Sequence, residues 1–97
     1  MKAYELLFFV APSTGDDIRK NTLDRIENTI KDASGSVDNI DEWGTRKLAY
    51  EINDMAEGYY ILVDFHADPQ SITELNRVLR INDAVVRHMI VARSDKQ

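Results

Sequence analysis

The chain has 97 residues, no cysteine and a net charge of −5. That length predicts one domain spanning residues 1–97, built around a single modest core. The absence of cysteine excludes disulfides, thiolate metal sites and a cysteine nucleophile, and it fits a reducing compartment. The acidic balance argues against a generic polyanion-binding protein, because such proteins are usually basic overall.

The first predicted element is a strand over residues 3–10, rich in Leu, Phe and Tyr, which the turn residues 12–15 end. Its apolar run is too short to cross a membrane and lacks a cleavage site, so we expect neither a signal peptide nor a membrane span. A cytoplasmic protein is the simplest interpretation.

A helix is predicted next. Ser13 and Thr14 are each followed three residues later by an aspartate, which is an N-cap pattern. Apolar residues and threonines then recur at helical spacing from Ile18 to Ala33. Ser34-Gly35 is expected to end this helix.

Two strands and a second helix follow. Residues 37–52 predict a long strand with a bulge or bend near Gly44, and residues 59–65 predict a strong strand. Residues 53–58 are expected to be a polar connection, which makes the pair a hairpin. Asp68 and Pro69 are typical of a helix start, and Ile72, Leu75, Val78 and Leu79 share one face of that helix.

A last strand over residues 85–92 completes the order β-α-β-β-α-β. This order predicts an α+β, ferredoxin-like fold: a four-stranded antiparallel sheet with two helices packed on one face.

The sheet face without helices is expected to be exposed or covered by a partner. Charges avoid a helix-covered core, so strand alternation assigns Glu5, Asp64, Arg87 and Arg93 to that face. The same alternation adds six apolar residues, namely Leu7, Phe9, Tyr60, Leu62, Met89 and Val91. So large an apolar patch predicts a protein partner, and scattered exposure of apolar residues is the alternative.

Basic residues are concentrated in the last third of the chain, at Arg77, Arg80, Arg87, Arg93 and Lys96. They indicate either a local basic face on an acidic protein or chance scatter.

Motifs for catalysis or metal binding are missing from the sequence. His66 and His88 are isolated, the glycines are single, and no serine has a nucleophile-elbow context. We therefore predict no metal, no cofactor, no small-molecule substrate and no enzymatic activity. A small enzyme whose site these motifs do not reveal is one alternative. A free-standing ferredoxin-like regulatory or ligand-binding module that self-associates through its sheet is another.

Several segments resemble one family. Residues 43–52 read WGTRKLAYEI and residues 74–83 read ELNRVLRIND, and Gly58-Tyr59-Tyr60 and Tyr4-Glu5 agree as well. These runs are similar to the signatures of the bacterial ribosomal protein S6 family, and the resemblance covers nearly the whole chain. It implies a non-catalytic protein of the small (30S) ribosomal subunit in the cytoplasm. It also implies binding to the central domain, or platform, of 16S rRNA as a heterodimer with the small basic ribosomal protein S18.

Site residues are assigned on that basis. Phosphate contacts are expected from Lys2, Arg46, Lys47, Arg80, Arg87 and Arg93, and stacking on unpaired bases from Tyr4 and Tyr50. The alternatives are surface ion pairs for Arg46 and Lys47, a helix-end cation for Arg80, and core packing for both tyrosines. The residues expected to face the protein partner are Leu7, Phe9, Trp43, Leu48, Tyr60, Leu62 and Met89.

Overall fold

The sheet has the strand order β2-β3-β1-β4, and every neighbouring pair is antiparallel. The computed structural model describes residues 1–93. Its elements are β1 (Lys2–Val10), α1 (Asp16–Asp32), β2 (Ser36–Ile52), β3 (Met55–Ala67), a short 3-10 turn (Pro69–Ser71), α2 (Ile72–Ile81) and β4 (Val85–Ala92). The predicted ferredoxin-like fold is confirmed. No helix in the described part of the chain is long and apolar enough to span a bilayer.

The core lies between the helices and one face of the sheet. Alternate residues of β1 and β3, such as Leu6 and Val63, are fully buried there, together with Ile26 of α1 and Leu75 of α2. Each such side chain contributes about 1.5–3 kcal/mol when it leaves water. Both helices are therefore held against the same face, which leaves the opposite face without helices.

The start of α1 differs from the prediction. Gly15 is the N-cap, and neither Ser13 nor Thr14 caps the helix with its side chain. The backbone N–H of Thr14 instead donates to the Ala11 carbonyl at 2.9 Å, which closes a tight turn before the helix. The Arg19 guanidinium donates to the Thr14 carbonyl at 2.7 Å and secures that turn from inside the helix.

α1 ends at Asp32, just before the predicted stop at Ser34-Gly35, and Ser34 adopts a left-handed conformation (φ 66°). Gly35 is needed because a Cβ there would lie 2.5 Å from the backbone oxygen of His66. Ile18, which the helical spacing places among the core-facing residues, is 52% exposed.

The hairpin between β2 and β3 is confirmed, but its connection is shorter than predicted. Ile52 pairs directly with Met55, and Asn53 and Asp54 form a two-residue turn with φ values of 54° and 64°. Two-residue hairpins require such positive φ angles, and Asn and Asp tolerate them. The bend near Gly44 is confirmed by its φ of 83° and by a register shift between Glu42 and Gly44.

The hairpin extends beyond the rest of the sheet. The last residue of β1, Val10, pairs with Tyr59, so residues 46–57 have no third strand beside them. We call residues 46–57 the hairpin arm. None of them is buried.

Candidate functional site

The sheet face opposite the helices, called the open face below, collects residues from three strands in cross-strand rows. One row contains Arg87, Phe9 and Tyr60, and the next contains Met89, Leu7 and Leu62. A third row contains Val91, Glu5 and Asp64. The residues that alternation assigned to this face therefore lie together on it.

Three aromatic rings form a continuous row at one end of the open face. The rings of Phe9 and Tyr60 are 5.1 Å apart between centroids, and Trp43 stacks on Tyr60 at 6.3 Å. Trp43 is the extra residue at the register shift in β2, which turns its ring onto this face. Gly58 makes room for Phe9, because a Cβ there would lie 2.5 Å from the ring.

Exposure differs among the residues predicted to face a partner. Met89 is 55% exposed and Trp43 38%, whereas Phe9, which lies on the same face, is only 5% exposed. Leu7, Tyr60 and Leu62 are half-buried. A shallow depression of about 230 Å³ lies over this region, lined by Leu7, Phe8, Phe9, Tyr60, Arg87, His88 and Met89. Leu48 is also half-buried, but it lies on the hairpin arm, away from these rows.

The other end of the open face is acidic. Glu5 lies directly opposite Asp64, and Asp41 lies opposite Leu62 in the neighbouring row. The Arg93 guanidinium is 3.7 Å from Asp64 Oδ1. Sequence reasoning placed Glu5 and Asp64 here but missed Asp41, because register shifts in β2 change which residues face this side.

The hairpin arm carries three of the predicted RNA-binding residues. Arg46, Lys47 and Tyr50 are exposed, and Tyr50 is 69% exposed. The Arg46 guanidinium donates only to the neighbouring carbonyl of Thr45, at 3.3 Å. Among residues 1–93 neither basic residue lies within ion-pair distance of a carboxylate, and Tyr50 packs in no core. Core packing, which was the alternative for Tyr50, is therefore wrong.

Tyr4 is not available for base stacking. It is 8% exposed and stacks on Phe65 in the core, with 5.6 Å between ring centroids. The alternation that buries Leu6 also buries Tyr4, so the strand pattern already contained this information. Core packing, which was the alternative for Tyr4, is what the structure shows.

The predicted basic cluster is not one patch. Arg87 lies opposite Phe9, whereas the backbone N–H of Arg93 bonds to Ala3 near the other end of β1, roughly 20 Å away along the strand. Arg77 is held by two hydrogen bonds to Glu74, at 2.9 and 2.7 Å. Lys96, the last member of that cluster, lies outside the described residues.

The remaining two cations lie apart from the open face. Arg80 is in the last turn of α2, where a cation interacts favourably with the helix dipole. Lys2 is the exposed first residue of β1. Both positions are exposed.

The two histidines have structural partners. His88 is a half-buried strand residue, and its Nε2 lies 2.9 Å from Asn76 Oδ1 of α2. Burial, with a smaller contribution from the Arg80 charge, lowers the pKa of His88. His66 Nδ1 lies 2.5 Å from Asp38 Oδ2. Within residues 1–93 no group of His, Asp and Glu side chains is arranged to hold a metal ion.

Comparisons with known proteins give consistent results. The family model described as ribosomal protein S6 matches residues 3–92. The small ribosomal subunit protein bS6 of Clostridium botulinum strain 657 is 45% identical over 91 residues, which cover 94% of this chain and 97% of that protein. The crystal structure of 30S ribosomal protein S6 from Thermotoga maritima superposes with a TM-score of 0.89 at 32% identity, covering 97% of this chain and 89% of that one.

Similarity of fold alone extends further. The C-terminal domain of the MgtC protein from Mycobacterium tuberculosis has a TM-score of 0.64 at 10% identity, covering 100% of this chain and 93% of that one. That likeness concerns the architecture only, because many unrelated functions share one fold. The family model, the Clostridium botulinum protein and the Thermotoga maritima structure differ from the MgtC domain because they also agree with this chain in sequence.

Proposed function

Since this chain belongs to the ribosomal protein S6 family, we propose that it binds the central domain of 16S rRNA together with ribosomal protein S18, which covers the open face. The family is a structural component of the small ribosomal subunit and is not enzymatic. The family resemblance, the absence of enzymatic function and the location in the cytoplasmic small subunit are confirmed predictions.

One observation carries the partner-binding part of the proposal: the exposed apolar centre of the open face. Trp43 and Met89 are accessible beside a shallow depression, and soluble monomers rarely expose large contiguous apolar patches. Aromatic and methionine side chains are enriched at the centres of interfaces. Glu5, Asp41 and Asp64 flank this centre, so its charge complements a basic partner and disfavours an acidic one.

The RNA-binding part rests on the hairpin arm and on Arg87. Arg46 and Lys47 present cations to phosphates, and the exposed Tyr50 ring offers a stacking surface for an unpaired base. Arg87 lies beside the docking centre, where RNA can contact both proteins. Lys2, Arg80 and Arg93 remain proposed phosphate contacts, and Tyr4 does not.

Partner binding is tested by alanine substitution on the open face. Trp43→Ala and Met89→Ala should each weaken binding of purified S18 by about tenfold, as expected for central interface residues. Ile18→Ala is the matched control, because Ile18 is 52% exposed on α1, on the helix side. If Ile18→Ala weakens binding as much as the open-face variants do, S18 does not dock on this face.

RNA binding is tested by the salt dependence of affinity. The double variant Arg46→Ala/Lys47→Ala should lower the slope of log K against log salt by about one for each phosphate that the protein no longer neutralises. Arg25→Ala, an exposed arginine on α1, is the control and should leave the slope unchanged. An unchanged slope in the double variant removes the hairpin arm from the RNA interface.

Sedimentation of the whole protein tests the ribosomal assignment itself. The chain should travel with 30S subunits through sucrose gradients at salt concentrations that retain other core proteins. If it stays at the top, the free-standing module is the better description.

A further inference from the structure

The two edges of the sheet differ in how well they are protected against strand pairing. The β2 edge is 17 residues long, carries several charges and is interrupted by register shifts and by the left-handed Gly44. The β4 edge is an eight-residue strand, Val85–Ala92, with one formal charge at Arg87, no glycine or proline, and a register shift only at its start, at Val86. Charges, bulges and prolines are the usual means of blocking edge pairing, so β4 beyond Arg87 is the less protected edge.

Backbone geometry shows which groups of β4 are unpaired. The N–H of Arg93 donates to the Ala3 carbonyl at 2.9 Å, so in an antiparallel ladder the alternate residues 91, 89 and 87 also face β1. The backbone groups of His88, Ile90 and Ala92 therefore point away from the sheet. In residues 1–93 no strand lies on that side. Such a row is a template for another strand.

We propose that a second copy of this chain pairs antiparallel through β4, which joins the two sheets into one of eight strands. Only the backbone N–H and C=O groups that point away from β1 can bond to the second copy. This condition permits a register in which Met89 lies opposite Met89 of the second copy. His88 then lies opposite Ile90 of the second copy. This register buries Met89, the most exposed large apolar side chain of β4 at 55%.

Side-chain charges favour this register over the next one along the strand. Val91 lies opposite Arg87 of the second copy, so the exposed valine packs on the arginine stem. A shift by one further pair would place Arg87 opposite Arg93 of the second copy, and like charges facing each other destabilise a sheet. The pairing covers only the β4 margin of each open face, including Met89, and it is argued from the backbone of β4 and not from the proposed S18 docking.

The dependence on salt concentration distinguishes this self-association from RNA binding. Each copy carries a net charge of −5, and the resulting repulsion is screened as ionic strength rises. Self-association should therefore strengthen with salt, whereas binding to rRNA weakens.

Cross-linking tests the register directly, because the chain has no cysteine of its own. Under mild oxidation Met89→Cys should form a disulfide-linked dimer, since the two side chains face each other across the interface. Val91→Cys is the matched control: Val91 is 42% exposed on the same strand and face. In the proposed register its two copies lie about 13 Å apart, beyond disulfide reach. Equal cross-linking of both variants would overturn the proposal.

Sedimentation equilibrium tests the interface without a covalent bond. Val91→Lys should weaken the dimer about tenfold, because two lysines would each face Arg87 of the other copy. Adding Arg87→Glu to that variant should restore the dimer by turning both contacts into ion pairs. Trp43→Ala, which changes the far side of the open face, should have no effect. If Trp43→Ala abolishes association, or if the parent protein stays monomeric at high salt, the proposal is wrong.

Discussion

Replacing Gly58 with alanine should destabilise the protein by displacing the aromatic row. The new Cβ would lie 2.5 Å from Cδ1 and 2.8 Å from Cγ of Phe9, so the ring must retreat by roughly 1 Å to reach ordinary contact distance. Phe9 is 5% exposed and packed on Tyr60, and such overpacking costs about 1–3 kcal/mol. Loss of glycine flexibility in the unfolded chain offsets about 0.4–1 kcal/mol of that cost.

The expected net loss is therefore about 1–2 kcal/mol in the free energy of unfolding, with a fall of roughly 5–15 °C in the melting midpoint. Urea denaturation measures the loss, and the emission of Trp43, the single tryptophan, reports the shift because its ring stacks on Tyr60. Gly15→Ser is the control, since a Cβ at Gly15 meets nothing within 4 Å. A Gly58→Ala protein with the stability and emission of the parent would refute the proposed steric role of Gly58.

Three further predictions concern stability. The lowered pKa of His88 means that, below pH 6.5, the unfolded chain takes up a proton more readily than the folded protein. A His66→Asn variant leaves His88 as the one histidine, and its urea midpoint should fall as the pH drops below 6.5. Adding His88→Gln should flatten that fall. An equally steep fall with His88→Gln would show that His88 does not cause the pH dependence. Arg19→Ala removes a guanidinium 4.3 Å above the Tyr59 ring and a hydrogen bond, which should cost about 1–2 kcal/mol in urea denaturation, whereas Arg25→Ala should cost almost nothing. Asp54→Gly should raise the unfolding free energy by about 0.5–1 kcal/mol, because glycine adopts the φ of 64° without strain; a loss of stability would show that the Asp54 side chain stabilises the turn.

The strand pattern predicted which face of the sheet lacks helices, and the reason is geometric. Side chains alternate strictly along an uninterrupted strand, so the charges of Glu5 and Asp64 were enough to identify the exposed side of β1 and β3. The same rule applied to Tyr4 predicts burial, which the structure confirms. A stacking role for Tyr4 contradicted that rule.

Strand β2 could not be predicted as well, because its register shifts change the parity of its side chains. Neither Asp41 opposite Leu62 nor the stacking of Trp43 on Tyr60 follows from alternation in the sequence. The short turn at Asn53 and Asp54 was missed because the following residues do not alternate like a strand. The separation of Arg87 from Arg93 depends on strand register, which nearness in sequence does not reveal.

The weak anchoring of the hairpin arm affects the free energy of any binding that orders it. With no third strand beside it and no buried residue, the arm is stabilised mainly by its own ladder, so it should open locally without unfolding of the core. In hydrogen exchange its amides should lose protection well before those of β1 and of the rest of β3. Holding a backbone residue in one conformation costs about 1–2 kcal/mol. A ligand that fixes the arm therefore binds less tightly than its contacts alone would allow, because part of the contact free energy offsets this ordering. Slowed exchange confined to the arm would then record that ordering, residue by residue.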